Sequence, residues 1–171
     1  MSERAPQVCP HTGAYLRPHF EELLARGVAD AHAARLPLTL VWVDLDETQE
    51  GNDAQGRLAM DAVLSTLVDL LAEQLDGRGP IGRVEGDAFA ASLYALTEAQ
   101  GARLGEGVRR RFAARHFTGE SGAFQRTVSV GVATLRPHEP YGNLMDAAES
   151  ACLQAKQAGR DRLVARQTPL K

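Results

Sequence analysis

Apolar residues recur along this chain in two alternating rhythms. From Phe20 to Ala31 they fall at Phe20, Leu23, Leu24, Val28 and Ala31, with Glu21, Glu22 and Arg26 between them. That is the spacing of one face of an amphipathic helix. After Pro37 the pattern becomes a nearly continuous aliphatic and β-branched run, Leu38 to Val43, closed by Asp44 and Asp46. Such a run suits a strand covered on both faces. ETQEGNDAQG then reads as a polar loop, and Met60, Leu64, Leu67, Val68, Leu71 and Leu75 form a second helical stripe that stops at Asp76-Gly77.

The following segments repeat the alternation. Pro80 to Val84 and Phe89 to Leu96 read as strands joined through Glu85-Gly86-Asp87-Ala88, where Gly-Asp matches a two-residue hairpin turn with glycine first. Thr97 and Gln100 are spaced as a capping box before a helix through Leu104, Val108, Phe112 and Ala113, which Gly101, Gly105 and Gly107 weaken. Arg126 to Ala133 is a strand containing Gly131, Leu144 to Ala158 an alanine-rich helix stopped at Gly159, and Arg162 to Ala165 a last edge strand.

After the leading helix the order is therefore β, α, β, β, α, β, α, β. It contains the split βαβ arrangement of ferredoxin-like sheets and predicts an α+β fold, with a central, mostly antiparallel sheet of about five strands flanked by helices. The first strand belongs in the middle of that sheet beside the hairpin, so Asp44 at its exit should meet Asp87 at the hairpin tip.

Composition narrows the function classes. A chain of 171 residues suits one domain with a substantial core, read here as a leading segment and helix over 1–36, a core over 37–166 and a tail over 167–171. No apolar run reaches membrane-spanning length, and MSERAPQVCP lacks the features of a secretory signal, so a cytoplasmic location is expected. A net charge of −3 leaves no basic surplus for neutralising phosphates, which disfavours duplex nucleic acid as a partner. Cys9 and Cys152 read as free thiols, because Cys9-Pro10-His11, even with His19 added, lacks zinc-ligand spacing.

The chemistry lies in the acids. Two carboxylates converging at strand ends beside a glycine turn can hold Mg²⁺, which prefers a few carboxylates together with water and substrate phosphates. A nucleotide is the implied substrate. Asp also suits a turn and a strand exit through local hydrogen bonding alone, and the acids by themselves leave both readings open.

Five separated segments, in order, extend the comparison. TGAYLRPHFEELL, VWVDLDETQEGNDAQGRLAMDAVL, VEGDAF, TVSVGVA and AESACLQAKQAGRDR together resemble the GGDEF domain, the diguanylate cyclase family, over nearly the whole chain. The resemblance implies a ferredoxin-like palm related to nucleotide cyclases and polymerases, and a place in bacterial cyclic di-GMP signalling. The reaction it implies joins two GTP molecules, one from each of two facing domains, into cyclic di-GMP with release of pyrophosphate.

Matched position by position, Asp44 and Asp87 are the implied metal-binding acids, with the Leu45 carbonyl as a further Mg²⁺ ligand. Asn52 and Asp61 match the pair that hydrogen-bonds guanine. Gly86 matches the signature glycine beside the substrate, and Lys156 and Arg160 match the cations that grip the β- and γ-phosphates. Implied partners are GTP or another guanine nucleotide, and a second copy of the chain, a second GGDEF domain or a phosphodiesterase domain.

The departures fall near the chemistry. In Glu85-Gly86-Asp87-Ala88-Phe89 the first glycine of the signature is Glu and its fourth-position Glu is Ala. The Phe-Lys after Asp-x-Asp is Thr48-Gln49, the Gly-His is Gly56-Arg57 and the Gly-Asp is Met60-Asp61. The Arg-x-x-Asp of product inhibition falls on Asp76-Gly77-Arg78-Gly79, so no feedback site of that kind is expected. Glu85 adds bulk and negative charge where an anionic substrate should approach backbone. The expectation is a degenerate, regulatory domain with little or no cyclase turnover. The alternatives are an active cyclase with a variant signature and an interaction scaffold that binds no nucleotide.

Overall fold

The central strand explains the run that ends in two acids. The structure, a computed structural model, describes residues 7–47 and 49–167. In chain order its elements are β1 (Tyr15–Leu16), α1 (Arg17–Ala34), β2 (Leu38–Asp46), α2 (Gln49–Asp53), α3 (Arg57–Leu75), β3 (Ile81–Glu85), β4 (Ala88–Tyr94), α4 (Glu98–Ala113), β5 (Phe117–Gly119), β6 (Gly122–Phe124), β7 (Thr127–Thr134), α5 (Tyr141–Gln157) and β8 (Leu163–Ala165). The main sheet runs β1-β3-β4-β2-β7-β8. Its three inner pairings are antiparallel, and the two outer ones, β1 with β3 and β7 with β8, are parallel.

Because β2 lies inside this sheet, both of its faces are covered. Leu38, Leu40 and Trp42 pack with Phe20, Leu24 and Val28 of α1 and with Leu144, Met145 and Ala148 of α5. The alternate residues Val41, Val43 and Leu45 pack with α3 and α4. Two-residue periodicity then places Asp44 and Asp46 on the α1 and α5 side, which fixes what these acids can touch.

Gly131 within β7 has a direct packing reason. A Cβ there would run into the Ala148 carbonyl oxygen and the Cys152 nitrogen of α5, so the glycine lets the α5 backbone lie against the strand. In α4, the capping box is formed: Thr97 Oγ1 accepts from the Gln100 N–H, and Gln100 Oε1 accepts from the Thr97 N–H. The glycines that weaken that helix also seat it, since a Cβ on Gly101 would strike Thr39 of β2.

Several details differ from expectation. The hairpin is present, with Glu85 paired to Ala88 around Gly86-Asp87, but a register shift between Arg83 and Glu85 inserts a bulge. Gly86 does not adopt a positive φ, so the glycine-first turn type does not form; the bulge supplies the local bend instead. The polar loop after β2 contains the short helix α2. The β5–β6 ribbon and the two-residue β1 are too short to show a period in sequence. The leading helix is longer than its apolar stripe, opening at Arg17-Pro18 and ending at Arg35 in the left-handed region. Proline at its start fits, because a first-turn N–H has no helical partner.

Candidate nucleotide and metal site

The geometric prediction about the two acids holds at the backbone. Asp44 is paired with Ala88 across β2 and β4, and the Leu45 N–H donates to the Asp87 carbonyl oxygen at 3.1 Å. Asp44 is half-buried, while Glu85, Gly86 and Asp87 are exposed at the hairpin tip. Burial pushes the Asp44 carboxyl above its ordinary range; Lys156 opposes the shift, and the charges of Asp87 and Glu85 add to it.

Lys156 comes from the last turn of α5 and lies on the expected metal ligands. Its Nζ donates to the Leu45 carbonyl at 2.9 Å and stands 3.4 Å from Asp44 Oδ1 and 3.6 Å from Asp46 Oδ1. These oxygens therefore already face a cation. Asp44, the Leu45 carbonyl and Asp87 are the oxygen donors expected for Mg²⁺, but Asp44 and Asp87 line different cavities, and among the described residues no group of three or more His, Cys, Asp or Glu side chains is arranged to hold a metal ion. Ala88 contributes no donor to this set, and it is buried in the core cluster beneath Asp44.

Asn52 and Asp61, the pair expected at the base, share a cavity on the other side of the hairpin tip. Asn52, Asp61 and Asp87 line one cavity of about 440 Å³ with Asp53, Gly56, Arg57 and Met60. Gly56 precedes α3 with φ 86°, a conformation that favours glycine. His11 reaches this rim from the leading segment, with Nδ1 4.0 Å from Asp61 Oδ2 and its carbonyl accepting from Ser65 Oγ at 2.8 Å. Asp44, Lys156 and Glu85 line a separate cavity of about 420 Å³ with Asp146 and Glu149. Glu85 thus adds its charge on the Asp44 side.

Arg160 is exposed and left-handed at φ 65°, just past α5, its N–H donating to the Ala155 carbonyl. Thr48 lies outside the described residues, as does the side chain of Gln49.

Three further residues hold the site together. Asp46 is buried and accepts from Thr127 Oγ1 at 2.9 Å, Ser129 Oγ at 2.6 Å and the Asp161 N–H at 2.9 Å. It thereby ties the Arg160 loop to β2. Arg83 donates through Nε and Nη2 to the Gly86 carbonyl and through Nη1 to Cys9 Sγ at 3.1 Å. Arg126, buried beneath the α2 loop, donates to the Gly51 carbonyl at 3.1 Å. Of the three, Asp46 carries a signal in sequence, being a second acid two residues beyond Asp44 on one strand face. Arg83 has one partner nearby in the chain, the Gly86 carbonyl, but its contact with Cys9 and those of Arg126 with Gly51 and Asn52 span more than 70 positions and have no local signature.

The family model described as "Diguanylate cyclase, GGDEF domain" matches residues 10–162, and the chain belongs to that family. It is 34% identical over 156 residues to the diguanylate cyclase DgcP of Pseudomonas aeruginosa, covering 90% of this chain and 23% of DgcP. It is 30% identical over 131 residues to the diguanylate cyclase DgcZ of Escherichia coli, covering 77% of this chain and 44% of DgcZ. The chain thus spans less than half the length of either relative.

Among solved structures, the DgcB GGDEF domain of Caulobacter crescentus, in complex with c-di-GMP, matches with a TM-score of 0.90 at 24% identity, over 98% of this chain and 97% of that one. The FimX GGDEF domain of Pseudomonas aeruginosa matches with a TM-score of 0.85 at 26% identity, over 93% and 99%. These likenesses agree with the ferredoxin-like palm expected from the element order. No helix among the described residues is long and apolar enough to cross a membrane.

Proposed function

We propose that this chain is a degenerate GGDEF domain that binds GTP or another guanine nucleotide with Mg²⁺, has little or no cyclase turnover, and acts as a regulatory module in cyclic di-GMP signalling. The observation that carries the reading is the Asp44–Ala88 pairing. Where the family signature has Glu, a buried methyl group faces the strand that bears the metal-binding Asp44. The ion would then rest on Asp44, Leu45 and Asp87, while Glu85 adds a further acid to the cavity that Asp44 lines with Lys156.

The remaining parts support binding. Asn52 and Asp61 share a cavity that a purine base would enter. A carboxylate accepting from the guanine N1–H and exocyclic amine selects guanine, since adenine has no such adjacent donors on that edge. Lys156 and Arg160 stand at the end of α5, where they would meet the β- and γ-phosphates. Mg²⁺, when bound, would neutralise phosphate charge. A second copy, another GGDEF domain or a phosphodiesterase domain would receive the regulatory output.

One observation favours the second reading, an active cyclase with a variant signature: Asp44, Asp87, Asn52, Asp61, Lys156 and Arg160 are all present, and the backbone of the hairpin tip docks beside Asp44 through the Leu45–Asp87 hydrogen bond. Calorimetry separates the readings. Binding of GTP with Mg²⁺ that is lost in Asp61→Ala, with no cyclic di-GMP after long incubation, is the expected result. Product that disappears in Asp87→Ala would instead establish the cyclase. Absence of binding to GTP, GDP and cyclic di-GMP would leave an interaction scaffold.

A further inference from the structure

Arg126 is a buried cation outside the acids and phosphate-binding residues, with 9% of its side chain exposed. It issues from the residue just before β7 and reaches under the α2 loop. Nη2 donates to the Gly51 carbonyl at 3.1 Å, Nη1 to the Gln125 carbonyl at 3.0 Å and Nε to Asn52 Oδ1 at 3.4 Å. Nη1 also stands 3.6 Å from Glu47 Oε2, and the guanidinium lies over the Phe124 ring, 4.6 Å from its centroid. The β5–β6 ribbon that carries Phe124 is itself fastened to the same loop, because the Glu120 N–H donates to the Gln55 carbonyl and Ser121 Oγ to the Ala54 carbonyl.

This arrangement constrains the Asn52 amide. A guanidinium has N–H donors and no acceptor, so the amide must present Oδ1 to Arg126 and keep its NH₂ group away from it. The NH₂ group is then left for the cavity that Asn52 lines with Asp61. Guanine offers the O6 acceptor there, whereas adenine offers an N6 amine. An inward NH₂ group therefore complements guanine and opposes adenine. With Asp61 accepting from the guanine N–H groups, the two side chains form a donor–acceptor pattern that only one of them could not supply.

We infer that Arg126 is a specificity-determining positioning residue: by holding Asn52 Oδ1 and the Gly51 carbonyl together, it sets the amide orientation that selects guanine over adenine. The inference rests on the guanine-nucleotide reading above. Lysine would not replace it, because a single ammonium on a flexible stem lacks the planar fork that spans both acceptors.

The test measures GTP and ATP affinity by calorimetry in wild type, Arg126→Gln and Arg126→Lys. With Arg126→Gln, GTP affinity should fall about tenfold, the equivalent of one hydrogen bond, while ATP affinity holds or rises. Arg126→Lys should recover only part of the selectivity. In an Asn52→Ala background, Arg126→Gln should leave the GTP-to-ATP ratio unchanged. Equal proportional losses for both nucleotides would reduce Arg126 to loop support and overturn the inference.

If wild type binds no guanine nucleotide, the binding reading fails by itself. The Asn52 side-chain amide signals in NMR of the nucleotide-free protein then provide a separate reading of Arg126. They should shift and exchange faster in Arg126→Gln, and unchanged signals would overturn the inference whatever the outcome with GTP.

Discussion

The ammonium of Lys156 donates to the carbonyl oxygen of Leu45 at 2.9 Å, so a cation from α5 lies on an oxygen expected to hold Mg²⁺. Asp44 and Asp46 flank the same ammonium. If Lys156 is to meet phosphates, it must leave this position when nucleotide and metal enter. Lys156→Met should therefore bind Mg²⁺ alone more tightly, because a competing cation is gone, while the affinity for GTP with Mg²⁺ falls about tenfold through loss of a charge-assisted contact. Calorimetry with each ligand tests this, and unchanged values for both would contradict it.

Asp44→Asn gives a stability prediction with a definite sign. Burial holds the folded-state pKa of this carboxyl above its ordinary value of 3.8. A raised acid contributes relative stability below that ordinary value and loses it as pH rises through the folded pKa. The asparagine variant should therefore be more stable than wild type near neutral pH, with the gain shrinking as pH drops below the ordinary aspartate range. Urea denaturation at the two pH values checks it.

Glu139 behaves in the opposite sense. Burial pushes its carboxyl up, but hydrogen bonds from Arg166 and the Arg136 N–H, with their charges, outweigh burial and leave it below 4.5. Arg166 grips both carboxylate oxygens and also donates to the Thr134 carbonyl. The stability this provides is present above the ordinary glutamate value and is lost as pH falls through the depressed folded value. Glu139→Gln should cost about 1–2 kcal/mol at neutral pH, the scale of charge-assisted hydrogen bonds in a half-buried pair, and much less in acid. Thermal melts across pH measure the difference.

Two glycines separate architecture from binding. Gly131→Ala should destabilise the protein by about 2 kcal/mol, because the added methyl meets α5 backbone. Gly86→Ala meets no atom within 4 Å and lies outside the positive-φ region, so its stability should change by less than about 0.5 kcal/mol. Its GTP affinity should nevertheless fall, since the methyl projects where substrate would approach the turn. Paired melting and titration experiments distinguish the two effects.

What was legible in the sequence follows from the range of the forces involved. The β2 run, the α3 stripe and the Thr97–Gln100 cap are local patterns, and each produced the element it announced. That the strand ending in Asp44 lies beside the hairpin was also accessible, because the order of elements places the two strands side by side; that Asp44 and Asp87 line different cavities was not. The β5–β6 ribbon and β1 were not, since two or three residues do not establish a period. Lys156 presented only a charge at a helix end. Its contacts with Leu45 and Asp46 cross 111 and 110 positions of chain, respectively, and follow from how α5 packs on β2.

The Leu45–Asp87 hydrogen bond joins two backbones and uses neither side chain. The hairpin tip therefore keeps its docking whichever side chains stand at positions 85 and 88. A lineage can lose the chemistry of this turn by drift while every neighbouring strand remains in register, leaving an intact shape free to be recruited for another task.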